Sequence, residues 1–503
     1  MKNSLLKISV PDRFKGRTGY QIFPDRYYRG GAKPQTVPGR ILKEWNDSVP
    51  SWEPDEDGEY RNLTYYGGDL KGIALHADEI AKMNFDLVYV GPISQTLSSH
   101  HYDVENQKII DPWMGTSQNV AEVCDEFHKR GILVCADLVF NHMGAHSMFF
   151  QEALQDPHSP YREWFEWENG QPVYWYGFKD MPQCNKLNPA YQRYVYEVIE
   201  FYLKLGVDGI RLDLGENLPE ELLWGIQKTV KEINPEALIV VEMWELATKK
   251  ENPQIFDGQT DSTMNYPLAD AILRWVRYGN VGHFYYTQSE LAWYPKQVQD
   301  VLWNFLDSHD TPRALTMLAG RGMLENPFDG RIWDIEDPWR YPNWFDTYNF
   351  RKWEAEHEDL NMDLARERLQ IASLIQYVSK GNPVVFAGTE VGLIGYKDPF
   401  NRKPYPWENQ DLILKEHYTK LGAMRKEAHL ILKDGEENVE VTPKIMTVIR
   451  RSDYGTLYTT INRTDQPVRN PMQDRRFSAR ELFTLQNSNQ NVLMPYGAVC
   501  MIT

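Results

Sequence analysis

GVDGIRLDLGEN, residues 206–217, places two charges inside an apolar run. Its middle is rich in Val, Ile and Leu and has the composition of a strand. Strand side chains alternate faces, so Arg211 and Asp213 share one side while Ile210, Leu212 and Leu214 take the other. A buried strand that commits two charges to one face lines something other than an ordinary core.

Working outward, the segment before it, AYQRYVYEVIEFYLKLG, repeats Val195, Val198, Tyr202 and Leu205 at helical spacing, with Gly206 as the stop. SQNVAEVCDEFHKRG does the same before Gly131. Strand-like runs alternate with such helices: GYQIF near Tyr20, FDLVYVGP from Phe85, GILVCADLVF from Gly131, GVDGIRLD from Gly206 and ALIVVEMW from Ala237. STMNYP from Ser262, VLWNFLDSHD from Val301 and NPVVFAG from Asn382 complete the set. About eight strands, each followed by a helix, predict an α/β protein built on a (β/α)8 barrel. From about residue 430 short runs such as VTPKIMTVIRR and GTLYTTINR, separated by Gly, Asn and Asp, predict an antiparallel β domain. The expected division is a barrel over 1–425, including a short inserted segment at about 143–188 after the third strand, and a β-sandwich over 426–503.

Composition narrows the partners. The 503 residues are 42% hydrophobic and 13% aromatic, enough for a large core. A net charge of −17 argues against nucleic acid or an anionic membrane, both of which require basic patches. MKNSLLKISVPDRF has too interrupted an apolar run for a secretion signal, and no later run approaches a membrane span. The four cysteines have no metal-like spacing, so free thiols and a cytoplasmic location are expected.

In a (β/α) barrel the chemistry sits at the C-terminal ends of the strands. There ADLVFNH ends in Asn141 and His142, GIRLD carries Arg211 and Asp213, IVVEMW carries Glu242, and FLDSHD ends in His309 and Asp310. One such pair would read as a structural ion pair or cap; four at the same end of one fold point to a site. Carboxylates and histidines without a Ser or Cys nucleophile motif suit acid/base work on a bond that one carboxylate attacks and another protonates. Glycoside hydrolysis has that requirement, with two carboxyl groups about 5–5.5 Å apart when configuration is retained. Tyr65, Tyr66, Tyr102, Trp175 and Tyr176 would offer flat faces to sugar rings.

DLVFNH, GIRLD, VVEMW and LDSHD, in this order, resemble the four short motifs of the α-amylase family of glycoside hydrolases. YQIFPDRYY, YYGGDLKGI, HYDV, MNYPL, LDSHDTPR and DPFNRKPYPW extend the likeness over roughly Gly19 to Trp407, and it is strongest to the neopullulanase and cyclomaltodextrinase branch. The resemblance implies Asp213 as nucleophile, Glu242 as general acid/base and Asp310 as the carboxylate that stabilises the transition state. It further implies that Arg211 aims Asp213, that Asp137 orients Arg211, and that His142 and His309 bond the sugar being cleaved. Tyr102 would stack on that sugar, and Asp398 with Arg402 would grip the next one. The implied substrates are α-linked glucose oligosaccharides, cut mainly at α-1,4 and also at α-1,6 bonds. No cofactor is required; Asn141 matches a family calcium ligand, so calcium is admitted.

Departures from the family pattern refine this. Many α-amylases carry Lys-His where this chain has Glu216-Asn217, a pair that serves the leaving-group side; its loss, with the aromatic-rich stretch from Gly320 to Trp353, favours short oligosaccharides or cyclodextrins over starch. MPQCNKLN is two residues longer than the usual motif there. The barrel is expected to begin near residue 19, without the N-terminal domain through which many neopullulanase relatives dimerise, so their oligomeric state does not carry over. Two other readings remain open: a transglycosylase or isomerase on the same scaffold, and a non-catalytic amylase-like binding protein, against which the three retained carboxylates speak.

Overall fold

The computed structural model describes residues 9–31, 37–47, 50–51, 61–251, 254–319, 360–396, 398–474 and 479–503. The aromatic-rich stretch from Gly320 to Trp353 lies outside them. Eight parallel strands form the central sheet: β1 (Gly19–Ile22), β2 (Leu87–Val90), β3 (Leu133–Val139), β4 (Gly209–Asp213), β5 (Leu238–Val241), β6 (Ser262–Thr263), β7 (Trp303–Asn304) and β8 (Asn382–Phe386). Their order is β6-β5-β4-β3-β2-β1-β8-β7, and a parallel bridge from Met264 to Trp303 joins the two ends into a nearly closed barrel. Each of the eight runs seen in the sequence supplies one strand.

Helices of opposite-face polarity separate the strands. Helix α1 (Ser117–His128) opens on a capping box between Thr116 and Asn119, and α2 (Pro189–Lys204) opens on the Asn188 side chain, which accepts from the N–H groups of Ala190 and Tyr191. Both turn their apolar stripes inward, Val120, Val123 and Phe127 on one and Val195, Val198 and Tyr202 on the other. Gly206, at φ 102°, turns the chain from α2 toward β4 in a conformation that favours glycine. At the head of β4 a Cβ on Gly209 would lie 2.7 Å from Cys135 Sγ on β3, so only glycine lets the strands pack this closely.

All five residues of β4 are buried, the two charges included. In register, Arg211 lies opposite Asp137 on β3 and Val240 on β5, and Asp213 lies opposite Val139. The inserted segment after β3 folds back on the barrel: Gln183 bridges to His142, and a short hairpin pairs Trp167–Glu168 with Gln171–Pro172. Past the last barrel helix, α3 (Leu412–Glu427), five antiparallel strands form a second sheet between Glu436 and Ile502. This sheet is fastened to the barrel by polar bonds as well as packing. Arg450 donates to the carbonyls of Val378, Leu432 and Gly435, and the Trp275 indole donates to Thr442 O.

Candidate active site

Arg211 is fully buried and is the hub of the site. Its Nη1 lies 2.7 Å from Asp137 Oδ1 and 2.9 Å from Asp213 Oδ1, and its Nη2 lies 2.8 Å from Glu242 Oε2. One guanidinium is therefore paired with three carboxylates from three adjacent strands, through two hydrogen bonds from Nη1 and an ion pair from Nη2. Its Nε rests 3.4 Å from Met264 Sδ. Burial opposes the charge of Arg211, but Asp137 and Glu242 outweigh it and raise the guanidinium well above its ordinary range. Burial likewise drives the Asp213 carboxyl upward; Arg211 opposes this, and Glu242 and Asp137 reinforce it.

Glu242 is held on three sides. Besides Arg211, its Oε2 accepts the Leu214 backbone N–H at 2.8 Å, and its Oε1 accepts the Trp244 indole at 3.0 Å. Trp244 is stacked flat on Tyr266, with ring centroids 4.0 Å apart and planes 6° apart. Leu214 presents that N–H because its backbone is left-handed, at φ 45° and ψ 39°, a strained geometry for a branched residue.

Asp310 stands partly open to the cleft. Its Oδ1 accepts from Arg402 Nη2 at 3.3 Å, and its Oδ2 lies 3.1 Å from His309 Nε2. Burial and then the charge of Glu242 push its pKa up to about 7. Gln21 Nε2 donates to His309 Nδ1 at 2.7 Å, which leaves the proton of this ring on Nε2, facing the Tyr102 hydroxyl as well as Asp310. The Tyr102 hydroxyl donates to Asp137 Oδ2 at 2.8 Å, and its ring is stacked on His309 with centroids 5.1 Å apart. Tyr89 donates to the same oxygen of Asp137.

His142 donates from Nε2 to Tyr102 O at 3.1 Å, and burial lowers its pKa to about 4. Burial, with Arg402 and Arg211 beside it, drives His309 well below the usual histidine range. Both imidazoles are thus neutral donors rather than cations. Arg402 also donates to His309 O at 2.7 Å and pairs with Asp398 at 3.3 Å, so Asp398 joins the cluster through the arginine.

The nine residues that the family resemblance implies for catalysis or sugar binding therefore converge on one mouth of the barrel, but not all of the further aromatics expected to face sugar rings join them. Tyr65 and Tyr66 do not: both are fully buried, one with its hydroxyl on the carbonyls of Leu97 and Ser98, the other on Asp47 O. They are core, and aromatic composition alone could not separate them from a platform. Gln21, Tyr89 and Trp244 went unremarked in the sequence, although Gln21 and Tyr89 are the inward polar positions of two apolar strands, a signal that alternation carries.

Asn141, which matches a family calcium ligand, already has a cation beside it. Its side-chain oxygen accepts from the Lys186 ammonium at 3.1 Å, and that buried cation also lies 3.6 Å from Glu166 Oε1. Among the described residues no group of three or more His, Cys, Asp or Glu side chains could hold a metal ion. Nor, among them, is any helix long and apolar enough to cross a membrane.

The family model for the alpha-amylase catalytic domain matches residues 21–328. Neopullulanase 2 of Thermoactinomyces vulgaris is 28% identical over 433 residues, covering 83% of this chain and 64% of its own length. Cyclomaltodextrinase of Geobacillus thermopakistaniensis is 28% identical over 480 residues, covering 92% of this chain and 71% of its own. The chain thus spans about two thirds of the length of these relatives. Among solved structures, the type III pullulan hydrolase of Thermococcus kodakarensis superposes with a TM-score of 0.80 at 24% identity, covering 100% of this chain and 84% of the other. A cyclic alpha-maltosyl-(1→6)-maltose hydrolase of Arthrobacter globiformis gives 0.79 at 22% identity, covering 99% and 100%. These structural likenesses speak to the fold.

Proposed function

The chain belongs to the alpha-amylase family, and from that premise we propose that it is a retaining glycoside hydrolase. It cleaves α-glucosidic bonds, chiefly α-1,4 and also α-1,6, in maltooligosaccharides or cyclodextrins, and it works in the cytoplasm. The substrate class follows the names of its relatives, neopullulanase and cyclomaltodextrinase, and one relative is named an intracellular maltogenic amylase. The observation that carries the reading is the single guanidinium of Arg211 holding Asp213 with one arm and Glu242 with the other.

In this reading Arg211 occupies Oδ1 of Asp213 and aims Oδ2 at the anomeric carbon. The C1–O bond breaks as Glu242 gives its proton to the departing sugar oxygen, and Asp213 is left as a glycosyl ester. Glu242 then takes a proton from water, which attacks C1 and frees Asp213. Asp310 faces the ring on which positive charge develops, and that charge favours its ionised form. The neutral His142 and His309 and the hydroxyl of Tyr102 supply uncharged hydrogen bonds suited to sugar hydroxyls. The Lys186 ammonium stands beside Asn141, and no step uses a metal ion.

The test is the product profile on maltotriose, panose, pullulan and a cyclodextrin, alongside Asp213→Asn. Release of short glucosides that vanishes in the variant is the expected result; turnover that survives the substitution refutes the reading.

A further inference from the structure

We propose that Gln21 is a positioning residue for the glycosidase reaction: it heads a one-way chain of hydrogen bonds that starts on β1, crosses the barrel mouth and ends at Arg211, which aims the nucleophile. The inference rests on the glycosidase reading above and concerns a residue that reaches the reacting carboxylates through other side chains.

Gln21 is the inward polar position of β1, buried opposite Tyr89 on β2 and Phe386 on β8. A buried amide costs stability unless its hydrogen bonds are made. Its Nε2 lies 2.7 Å from Nδ1 of His309, itself fully buried. Burial, with Arg402, Arg211 and His100 nearby, keeps that imidazole uncharged. An uncharged imidazole has one donor nitrogen and one acceptor nitrogen, so the group facing Nδ1 settles what Nε2 does.

The direction of each later link follows from the one before. With Nδ1 accepting from Gln21, Nε2 carries the proton and donates to the Tyr102 oxygen, and Asp310 Oδ2 lies 3.1 Å from the same nitrogen. A phenol has one proton, and Tyr102 sends it to Asp137 Oδ2 at 2.8 Å. Tyr89 donates to that oxygen too, while Asp137 Oδ1 accepts from Arg211 Nη1 at 2.7 Å. Burial raises the Asp137 carboxyl, and Arg211 and the two phenols oppose the rise. Arg211 in turn donates to Asp213 and is paired with Glu242. Hydrogen bonds aligned head to tail polarise one another, so the chain acts as a unit.

The reverse order is disfavoured at two points. If the Gln21 amide turned its oxygen to His309, the proton would sit on Nδ1 and a bare Nε2 would face Asp310 Oδ2. Tyr102 would then turn its proton to His309, and Asp137 would lose one of its donors. Asp310 would stand beside a lone pair instead of an N–H just when its charge is needed opposite the developing cation. Gln21 as a donor prevents this and, through Asp137, keeps Arg211 set against Asp213.

The alternative is that Gln21 only fills a polar gap on the inner face of β1. Three variants and one spectrum separate the two. Gln21→Glu keeps the shape and can only accept, Gln21→Met keeps the bulk and offers no bond, and Tyr102→Phe keeps the ring and cuts the chain in its middle. Ring ¹⁵N shifts, with the His309 signals identified by their loss in His309→Gln, should place the proton on Nε2 in the unsubstituted protein and on Nδ1 in Gln21→Glu. Both Gln21 variants should lose about 10-fold to 100-fold in kcat on maltotriose, with KM changed less than about 3-fold. When Gln21→Met and Tyr102→Phe are combined, the loss should match the larger single loss and not the product, because both cut one chain. A proton on Nδ1 in the unsubstituted protein, multiplied losses in the pair, or full kcat in Gln21→Met would each overturn the proposal. The spectrum of the unsubstituted protein requires neither a folded variant nor turnover. Failure of the glycosidase reading is a separate outcome, visible as absence of Asp213-dependent release of glucosides.

Discussion

Glu242 Oε2 accepts the backbone N–H of Leu214 at 2.8 Å, so the carboxylate on β5 is tied to the residue directly after Asp213 on β4. The two carboxylates are spaced by backbone as well as by Arg211. Replacing one should therefore leave the other in position.

Asp213→Asn keeps shape and loses the nucleophilic oxygen. Turnover of maltotriose should fall by about 10³-fold or more, with the melting temperature unchanged or raised. Steady-state rates and a thermal scan check both. In the unsubstituted protein, proton NMR of the first product should show the α-anomer, since two inversions restore configuration.

Asp310 gives a stability signature whose sign can be worked out. Its folded pKa of about 7 lies above the ordinary carboxylate value of about 4, so between these limits the folded protein binds more protons than the unfolded chain. Stability from this group is then present at low pH and is lost as pH rises toward 7. Asp310→Asn removes the loss: relative to the unsubstituted protein, it should gain about 1–2 °C more in melting temperature at pH 7.5 than at pH 4.5. A gain confined to the acid side would contradict the sign.

The ammonium beside Asn141 has consequences for metal dependence. A chelator should leave the melting temperature and maltotriose activity unchanged. Lys186→Met strips Asn141 and Glu166 of their cation and should cost about 1–3 kcal/mol, measured by denaturant unfolding. Added calcium should not restore it. Recovery with calcium would show that the site accepts a metal after all.

Substrate length is a further measurable outcome. Glu216-Asn217 stands where many α-amylases carry the Lys-His pair of the leaving-group side, so kcat/KM for maltotriose to maltohexaose, or for cyclodextrins, should exceed that for amylose per chain. Faster cleavage of amylose than of maltohexaose would reverse this.

Much of the site was readable because barrel chemistry follows one-dimensional rules. Asp213 and Glu242 stand where apolar runs stop, and two-residue alternation alone puts Arg211 on the face of Asp213. The runs were less informative about extent: VLWNFLDSHD yields only Trp303–Asn304 as β7, since the chain beyond leaves the sheet to present His309 and Asp310. What escaped depends on loops crossing long distances in sequence. Trp175 reaches His142 only because Gln183 bridges back to the strand end, and Lys250 finds Glu216 across a separate loop. No local spacing encodes such meetings. Tyr65 and Tyr66 show the converse, side chains of suitable chemistry that packing consumed.

The ring of strands has one thin weld. Among the described residues the backbones of β6 and β7 meet through the Met264–Trp303 bridge and the Asn265 N–H on Trp303 O, with the Ser262 hydroxyl donating to Val301 O and the Asn265 amide to Asn304 Oδ1 beside them, whereas β4 shares five registered pairs with β3. Met264 is also the residue whose sulfur supports Arg211 Nε. The hub of charge thus leans on the joint with the fewest backbone pairs, and breathing there would reach Asp213 and Glu242 through Arg211. Amide exchange at Met264 and Asn265 should therefore run ahead of exchange along β4, making the weld a gauge of how firmly the carboxylates are aimed.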